Sequence, residues 1–155
     1  MGKEYSKNIT LIFFFLLCYS VSWSQVVINE FSAANVGGPT DNYGEREDWI
    51  ELYNVTGAAV NISGWYLSDK LSNPTKWPFP AGTTIAANGF LRVWASGRNT
   101  SGGGNYHTNF KITQTQASED VVLANASGTV IDYNPIDVPN QTDHSWGRSP
   151  NGSAN

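Results

Sequence analysis

The chain has 155 residues, and 13 acidic residues against nine Lys and Arg give it a formal net charge of −4. No basic stripe accompanies this balance, so a nucleic acid bound through its phosphate backbone is not an expected partner. The single cysteine excludes a disulfide framework, and the length predicts one domain held by an ordinary core.

The first element along the chain is a short apolar segment. Two lysines precede the run ITLIFFFLLCYSVSW, and Ser22 and Ser24 stand at the −3 and −1 positions of a cut before Gln25. A basic start, a short apolar core and small residues at the cut are typical of a secretory signal peptide, and the strongly apolar part is too short to span a bilayer comfortably. We therefore expect residues 1–24 to be a signal peptide. Residues 25–155 are then secreted, extracellular or on the cell surface, with no membrane span after cleavage.

The rest of the chain reads as all-β. No window shows a sustained 3.6-residue period, whereas short β-branched and aromatic runs alternate with Gly, Pro, Asn and Ser. This spacing predicts a sandwich or barrel. The stretch SGGGN at 101–105 is expected to be a flexible loop tip. The candidate strands are QVVINEFSA, DWIELYNV, AVNISGWYLSD, TKWPFP, TTIA, FLRVWAS, TNFKIT, DVVLANA and GTVIDYN.

Alternation assigns faces in the strand DWIELYN. Ile50 and Leu52 share one face, while Glu51 shares the other with its aromatic neighbours. A carboxylate in that position needs a partner if it is covered. The candidate partners of Glu51 are Arg92, Arg148 and backbone N–H groups.

Several of these stretches, in this order, are similar to one known family. The quoted pieces are VVINEFSA, DWIELYN, VNISGWYLSD, KWPFP, NGFLRVWASG, HTNFKI, DVVLANASGTVID and SWGRSPNG. Together they cover nearly all of residues 26–152 and resemble the lamin tail domain, specifically its secreted bacterial branch. The resemblance implies an immunoglobulin-like β-sandwich, here of about eight or nine short strands, and a module that is not an enzyme.

The resemblance also leads to expectations about function. Such bacterial domains are commonly joined to CotH kinase-like domains, nucleases or other hydrolases. Members usually continue after GR-P-G with an aromatic strand, whereas this sequence stops at GRSPNGSAN. We therefore expect a sandwich lacking its last strand, followed by a downstream domain of the same polypeptide. The leading hypothesis is a non-catalytic secreted or cell-surface module for binding, adhesion or spacing, the N-terminal part of a larger extracellular protein.

Two alternatives remain open. One is an accessory fragment of an enzyme whose catalytic domain lies downstream. The other is a free-standing carbohydrate-binding or calcium-dependent adhesin. Each names a partner of a different kind, either a covalently joined domain or a protein or glycan at a cell surface.

The acidic stretch DNYGEREDWIELYN, residues 41–54, is the candidate metal site. Asp41, Glu45, Glu47 and Asp48 could offer oxygen ligands to Ca²⁺, which takes six to eight. The spacing of an EF-hand loop is absent, and charge runs usually mark solvated surface. The sequence therefore favours a solvated loop, and calcium is the one cofactor that it leaves open.

Aromatic side chains are the candidate binding residues, because the C–H face of a sugar stacks on an aromatic ring. Trp65, Trp77 and Trp94 are expected to fill the core. The freer side chains, in or beside predicted loops, are Tyr43, Trp49, Tyr106 and Trp146.

Catalytic residues are not predicted. His107 and His144 are the only histidines and have no H-x-x-x-H or cysteine companions, which makes a zinc site improbable. No G-x-S-x-G elbow occurs. Seven N-x-S/T sequons occur, and we interpret them as the product of a composition rich in Asn, Ser and Thr.

Overall fold

A computed structural model describes residues 24–114, 119–136 and 142–154. All but the last residue of the predicted signal peptide lie outside these ranges. Every regular element in the described ranges is a strand, so the predicted all-β class is confirmed. The described part contains no helix that is long and apolar enough to cross a bilayer. The strands are β1 (Val26–Ser32), β2 (Trp49–Asn54), β3 (Val60–Asn61), β4 (Tyr66–Ser68), β5 (Trp77–Pro78), β6 (Thr84–Ile85), β7 (Phe90–Trp94), β8 (Thr100–Gly102), β9 (Asn105–His107), β10 (Asp120–Ala124), β11 (Val130–Pro135) and β12 (Trp146–Gly147).

The strands form an immunoglobulin-like β-sandwich. One sheet has six strands in the order β12-β1-β2-β7-β9-β8, and the facing sheet has four in the order β11-β10-β4-β5. A third, two-stranded sheet joins β3 and β6. Pairing is antiparallel except between β7 and β9, which run parallel. The predicted sandwich is therefore confirmed.

The core lies between the two large sheets. Ile50 and Leu52 are fully buried there, as the alternation of β2 predicts, and Leu67 and Leu123 meet them from the four-stranded sheet. Phe31 adds an aromatic ring from β1. The core is continuous, and this rigid body is what positions the surface sites described below.

Two predicted segments differ from the structure. SGGGN contains the predicted tip at Gly103 and Gly104, whose φ angles are +57° and +83°, but its other residues belong to the strands of the β8–β9 hairpin. TNFKIT forms no strand, although Lys111 makes an isolated bridge to Ser96. The backbone of that segment bonds instead to the end of β7, where the Thr108 N–H donates to the Trp94 carbonyl at 2.9 Å.

Three of the sequons have a structural use. In each, Oδ1 of the asparagine accepts hydrogen bonds from both the backbone N–H and the hydroxyl of the residue two positions later. The N–H distances are 2.9, 2.9 and 3.0 Å, and the hydroxyl distances are 2.8, 2.6 and 2.7 Å. These Asx turns end or follow strands and reverse the chain there. The three asparagines are Asn54, Asn61 and Asn125.

The open side of the sandwich, between β1 and β11, is closed by the stretch SWGRSPNG. Trp146 stacks on Phe31 with ring centroids 5.5 Å apart. The Arg148 guanidinium binds both oxygens of Asp132, at 2.8 and 3.0 Å, and its Nε donates to the Ile28 carbonyl at 2.8 Å. Asp132 also accepts the Ile28 N–H at 2.8 Å. The arginine side chain is nearly buried, and each of its guanidinium nitrogens has an acceptor. Arg148 therefore links the two sheets through charge-assisted hydrogen bonds.

Candidate functional site

The acidic loop between β1 and β2 is organised by the side chain of Asp41. This carboxylate is buried, and its Oδ1 accepts the N–H groups of Tyr43 and Glu45 at 2.8 and 2.9 Å. The backbone of Asp41 pairs with the Glu45 carbonyl at 2.8 Å. The carboxylate therefore closes a tight turn, and Tyr43 is presented at its tip.

Two cations pair with the carboxylates of Glu45 and Glu47 in this loop. Arg98 contacts Glu45 directly and lies 3.9 Å from Glu47 and 4.0 Å from Asp41. Lys111 binds Glu47 at 2.9 Å. Such pairs at the surface contribute little to stability, about 0–1 kcal/mol each. They do hold the loop against the chain that follows β7.

Asp48 lies apart from this cluster. It accepts the Asn35 N–H at 2.8 Å. Burial raises the pKa of Asp48, and the hydrogen bond from Asn35 opposes that rise. Among the residues that the structure describes, no three His, Cys, Asp or Glu side chains are grouped to hold a metal ion. Each of the four carboxylates of the calcium hypothesis has another partner here, although Oδ2 of Asp41 is buried and accepts no hydrogen bond from the residues that the structure describes.

A buried histidine fixes the acidic loop to β9. His107 is only 1% exposed; its Nε2 lies 2.7 Å from Asn42 Oδ1 and its Nδ1 lies 3.0 Å from Ser96 Oγ. Because an amide oxygen only accepts, Nε2 carries the proton and Nδ1 accepts from the serine hydroxyl. Burial lowers the pKa of His107, while the charge of Asp41, 4.0 Å from Nδ1, acts to raise it. The imidazole is therefore neutral and serves as a structural hydrogen-bond bridge.

The four aromatic candidates have different environments. Tyr43 is 54% exposed, and its ring contacts the edge of His107 at 5.3 Å and the Arg98 guanidinium at 4.7 Å. Trp49, by contrast, is only 6% exposed. The Arg92 guanidinium lies 4.7 Å from its ring and shields it from solvent.

The other two candidate rings belong to the packing of the sandwich. Tyr106 is half-buried and meets Phe79 edge-on at 6.3 Å, and Trp146 stacks on Phe31. The structure therefore gives each of the four rings a different neighbour and does not gather them into one platform. Of the four, Tyr43 alone presents an exposed ring.

The outer face of β2 and β7 carries a ladder of charge and aromatic rings. Arg92 pairs with Glu51 at 3.7 Å, which confirms one of the predicted partners, and it lies 5.9 Å from the ring of Trp94. Trp94 is buried as expected, but on this outer face and outside the main core cluster. Next along the ladder, Tyr53 and Phe90 stack at 4.5 Å.

The sequence reasoning missed Phe90 as a surface residue, although it is 47% exposed. Its position on the same face of β7 as Arg92, opposite the buried Val93, was the available signal. Trp77 is buried in the core as expected, at 3% exposure. Trp65 is only partly buried and packs against the core from its rim.

Comparison with known proteins agrees with this architecture. The family model described as Lamin Tail Domain matches residues 21–135, well over half of the chain. No curated protein sequence matches the chain. The family consists of immunoglobulin-like β-sandwich modules that are not normally catalytic. On the strength of this match and of the fold, the chain belongs to the lamin tail domain family.

Proposed function

We propose that the chain is a secreted or cell-surface binding and spacer module of the bacterial branch of this family. In this proposal it forms the N-terminal part of a larger extracellular protein. The place where the sandwich begins supports export, because its first strand, β1, starts at Val26, one residue after the predicted cleavage site before Gln25. Cleavage there removes the apolar segment and leaves every strand of the described ranges in place.

The non-catalytic role is supported by the burial and hydrogen bonding of the side chains that could act in catalysis. Ser96 and His107 form the one hydroxyl–imidazole contact between side chains in the described ranges, and both are nearly inaccessible. A buried pair of this kind cannot reach a substrate. The nearby acidic groups are likewise engaged with Arg98, Lys111 and backbone N–H groups.

Export is tested by expressing the whole chain in a bacterial host and measuring the mass of the product outside the cytoplasm. A product that begins at Gln25 is expected. Ser24→Leu at the −1 position should block the cut, whereas the matched Ser20→Leu change within the apolar segment should not. A wild-type chain that stays in the cell with residues 1–24 attached would contradict the proposal.

The accessory role is tested by reading the gene beyond the codon for Asn155. An aromatic strand followed by a further domain is expected. A stop codon directly after Asn155 would refute the role as part of a larger protein, and binding by this sandwich alone would then carry the function.

A further inference from the structure

A groove of about 410 Å³ lies beside the turn that joins β10 to β11. Trp65, Asn125 and Thr129 line it, together with Ser24 and Gln25, which precede β1, and Ile131 of β11. Ligand pockets in proteins occupy about 300–1,000 Å³, so the groove has room for a small ligand. It lies apart from the acidic loop and from the ladder on the outer face of the six-stranded sheet.

The side chains that line the groove are uncharged, although the cut before Gln25 removes Ser24 and places the α-amino group of Gln25 at the groove. Each residue that lines it is a Ser, Gln, Trp, Asn, Thr, Val or Ile, although the chain as a whole has a net charge of −4. Burying an ion beside such side chains carries a desolvation cost without a compensating pair. The side chains therefore favour a ligand that has both apolar and polar surface, and the α-amino group of Gln25 opposes a cationic one.

Two side chains that line this groove carry hydrogen-bond donors with no partner among the described residues. Oδ1 of Asn125 accepts from the Ser127 N–H at 3.0 Å, the Ser127 hydroxyl at 2.7 Å and the Thr129 N–H at 2.9 Å, which holds the amide in one orientation. Nδ2 of the same amide donates to no group in residues 24–114, 119–136 and 142–154. In those ranges the indole N–H of Trp65 also has no acceptor, while its ring is held by packing against the core.

We propose that this groove binds a neutral oligosaccharide. The C–H face of a sugar ring would pack on Trp65 and Ile131, and its hydroxyl oxygens would accept from the Asn125 amide and the Trp65 indole. The donors and the ring are already rigid, so little ordering opposes binding. This assignment deepens the proposed binding function and rests on it.

The test is a nuclear magnetic resonance titration of ¹⁵N-labelled protein, as recovered from the exporting host, with cello-, xylo-, chito- and laminari-hexaose. One of these sugars is expected to shift the Asn125 side-chain amide and the Trp65 indole signals in a saturable way. The side-chain amide signal of Asn61 should stay in place, because its turn lies outside the groove. Failure of all four sugars to shift the Asn125 and Trp65 signals overturns the assignment.

A matched pair of variants separates binding from folding. Asn125→Asp keeps the oxygen that accepts from Ser127 and Thr129 but removes the Nδ2 donor, and should weaken the affinity about tenfold. Asn61→Asp makes the same change in the same type of turn and should leave the affinity unchanged. Equal dissociation constants for the two variants would refute the role of Asn125. The outcome of the export experiment is separate, since a product beginning at Gln25 that binds no sugar would leave secretion standing.

Discussion

Asn54, at the end of β2, offers the sharpest test of how this fold is held together. Its side chain is fully buried, and Nδ2 donates to the carbonyls of Ala58, Ala86 and Ile85 at 2.7, 2.9 and 3.2 Å. Oδ1 accepts the N–H and hydroxyl of Thr56. One amide therefore joins β2, the turn after it and the end of β6.

Asn54→Asp retains the shape and the acceptor for Thr56 but points an oxygen at three carbonyl oxygens. Two close hydrogen bonds, worth about 1 kcal/mol each, are lost. Buried carbonyls are also left unsatisfied beside a buried carboxyl group. The free energy of unfolding should therefore fall by about 3–5 kcal/mol in all. This is a large part of the stability of about 5–15 kcal/mol that a domain of this size has.

The assay is urea unfolding followed by tryptophan fluorescence, with Asn61→Asp as the control. Asn61 makes the same turn to Ser63 on the surface, so its change should cost no more than about 0.5 kcal/mol. A free energy of unfolding for Asn54→Asp within about 1 kcal/mol of the control would refute the reasoning.

Three further predictions concern Arg148, His107 and the acidic loop. Arg148→Met should cost about 3–5 kcal/mol in urea unfolding because it leaves Asp132 without its buried partner, and adding Asp132→Leu should recover part of that loss; an additive double variant would contradict this link between the sheets. The burial that lowers the pKa of His107 from 6.5 means that the unfolded chain binds its proton more tightly. The stability that it contributes is therefore present above about pH 6.5 and lost as the pH falls towards the folded pKa. His107→Gln should flatten the change in unfolding free energy between about pH 7.5 and 5.5, and an unchanged slope would show that other groups dominate it. The melting temperature should be the same with calcium as with a chelator, because the loop carboxylates already have cationic or N–H partners. A melting temperature several degrees higher with calcium would instead reveal a calcium site.

The strands that the sequence predicts best are those with a buried and an exposed face. In β2 the alternation places Ile50 and Leu52 in the core, and the partner of Glu51 proves to be one of the arginines that its burial requires. The β8–β9 hairpin was missed because Thr100–Gly102 has no apolar face, and only the positive φ angles of its glycines reveal the turn. Such short strands are set by tertiary pairing rather than by local pattern.

The surface sites were harder to predict for a different reason. Trp49 looks free in a sequence beside an acidic loop, yet Arg92, 43 positions away in the chain, covers its ring. The groove beside Trp65 and Asn125 combines segments that lie far apart in the sequence, and its one local signal was the sequon that forms the Asx turn. Residues brought together by the sheet order leave no trace in spacing alone.

The central claim is that this module binds a sugar without performing chemistry on it. The most direct test observes the protein and the sugar in one sample. The protein is kept with the bound hexasaccharide while nuclear magnetic resonance records the spectra of the protein and of the sugar over days. The account predicts a saturable shift of the Asn125 and Trp65 signals with the sugar spectrum unchanged. The appearance of new reducing-end signals would show turnover, and it would contradict the account.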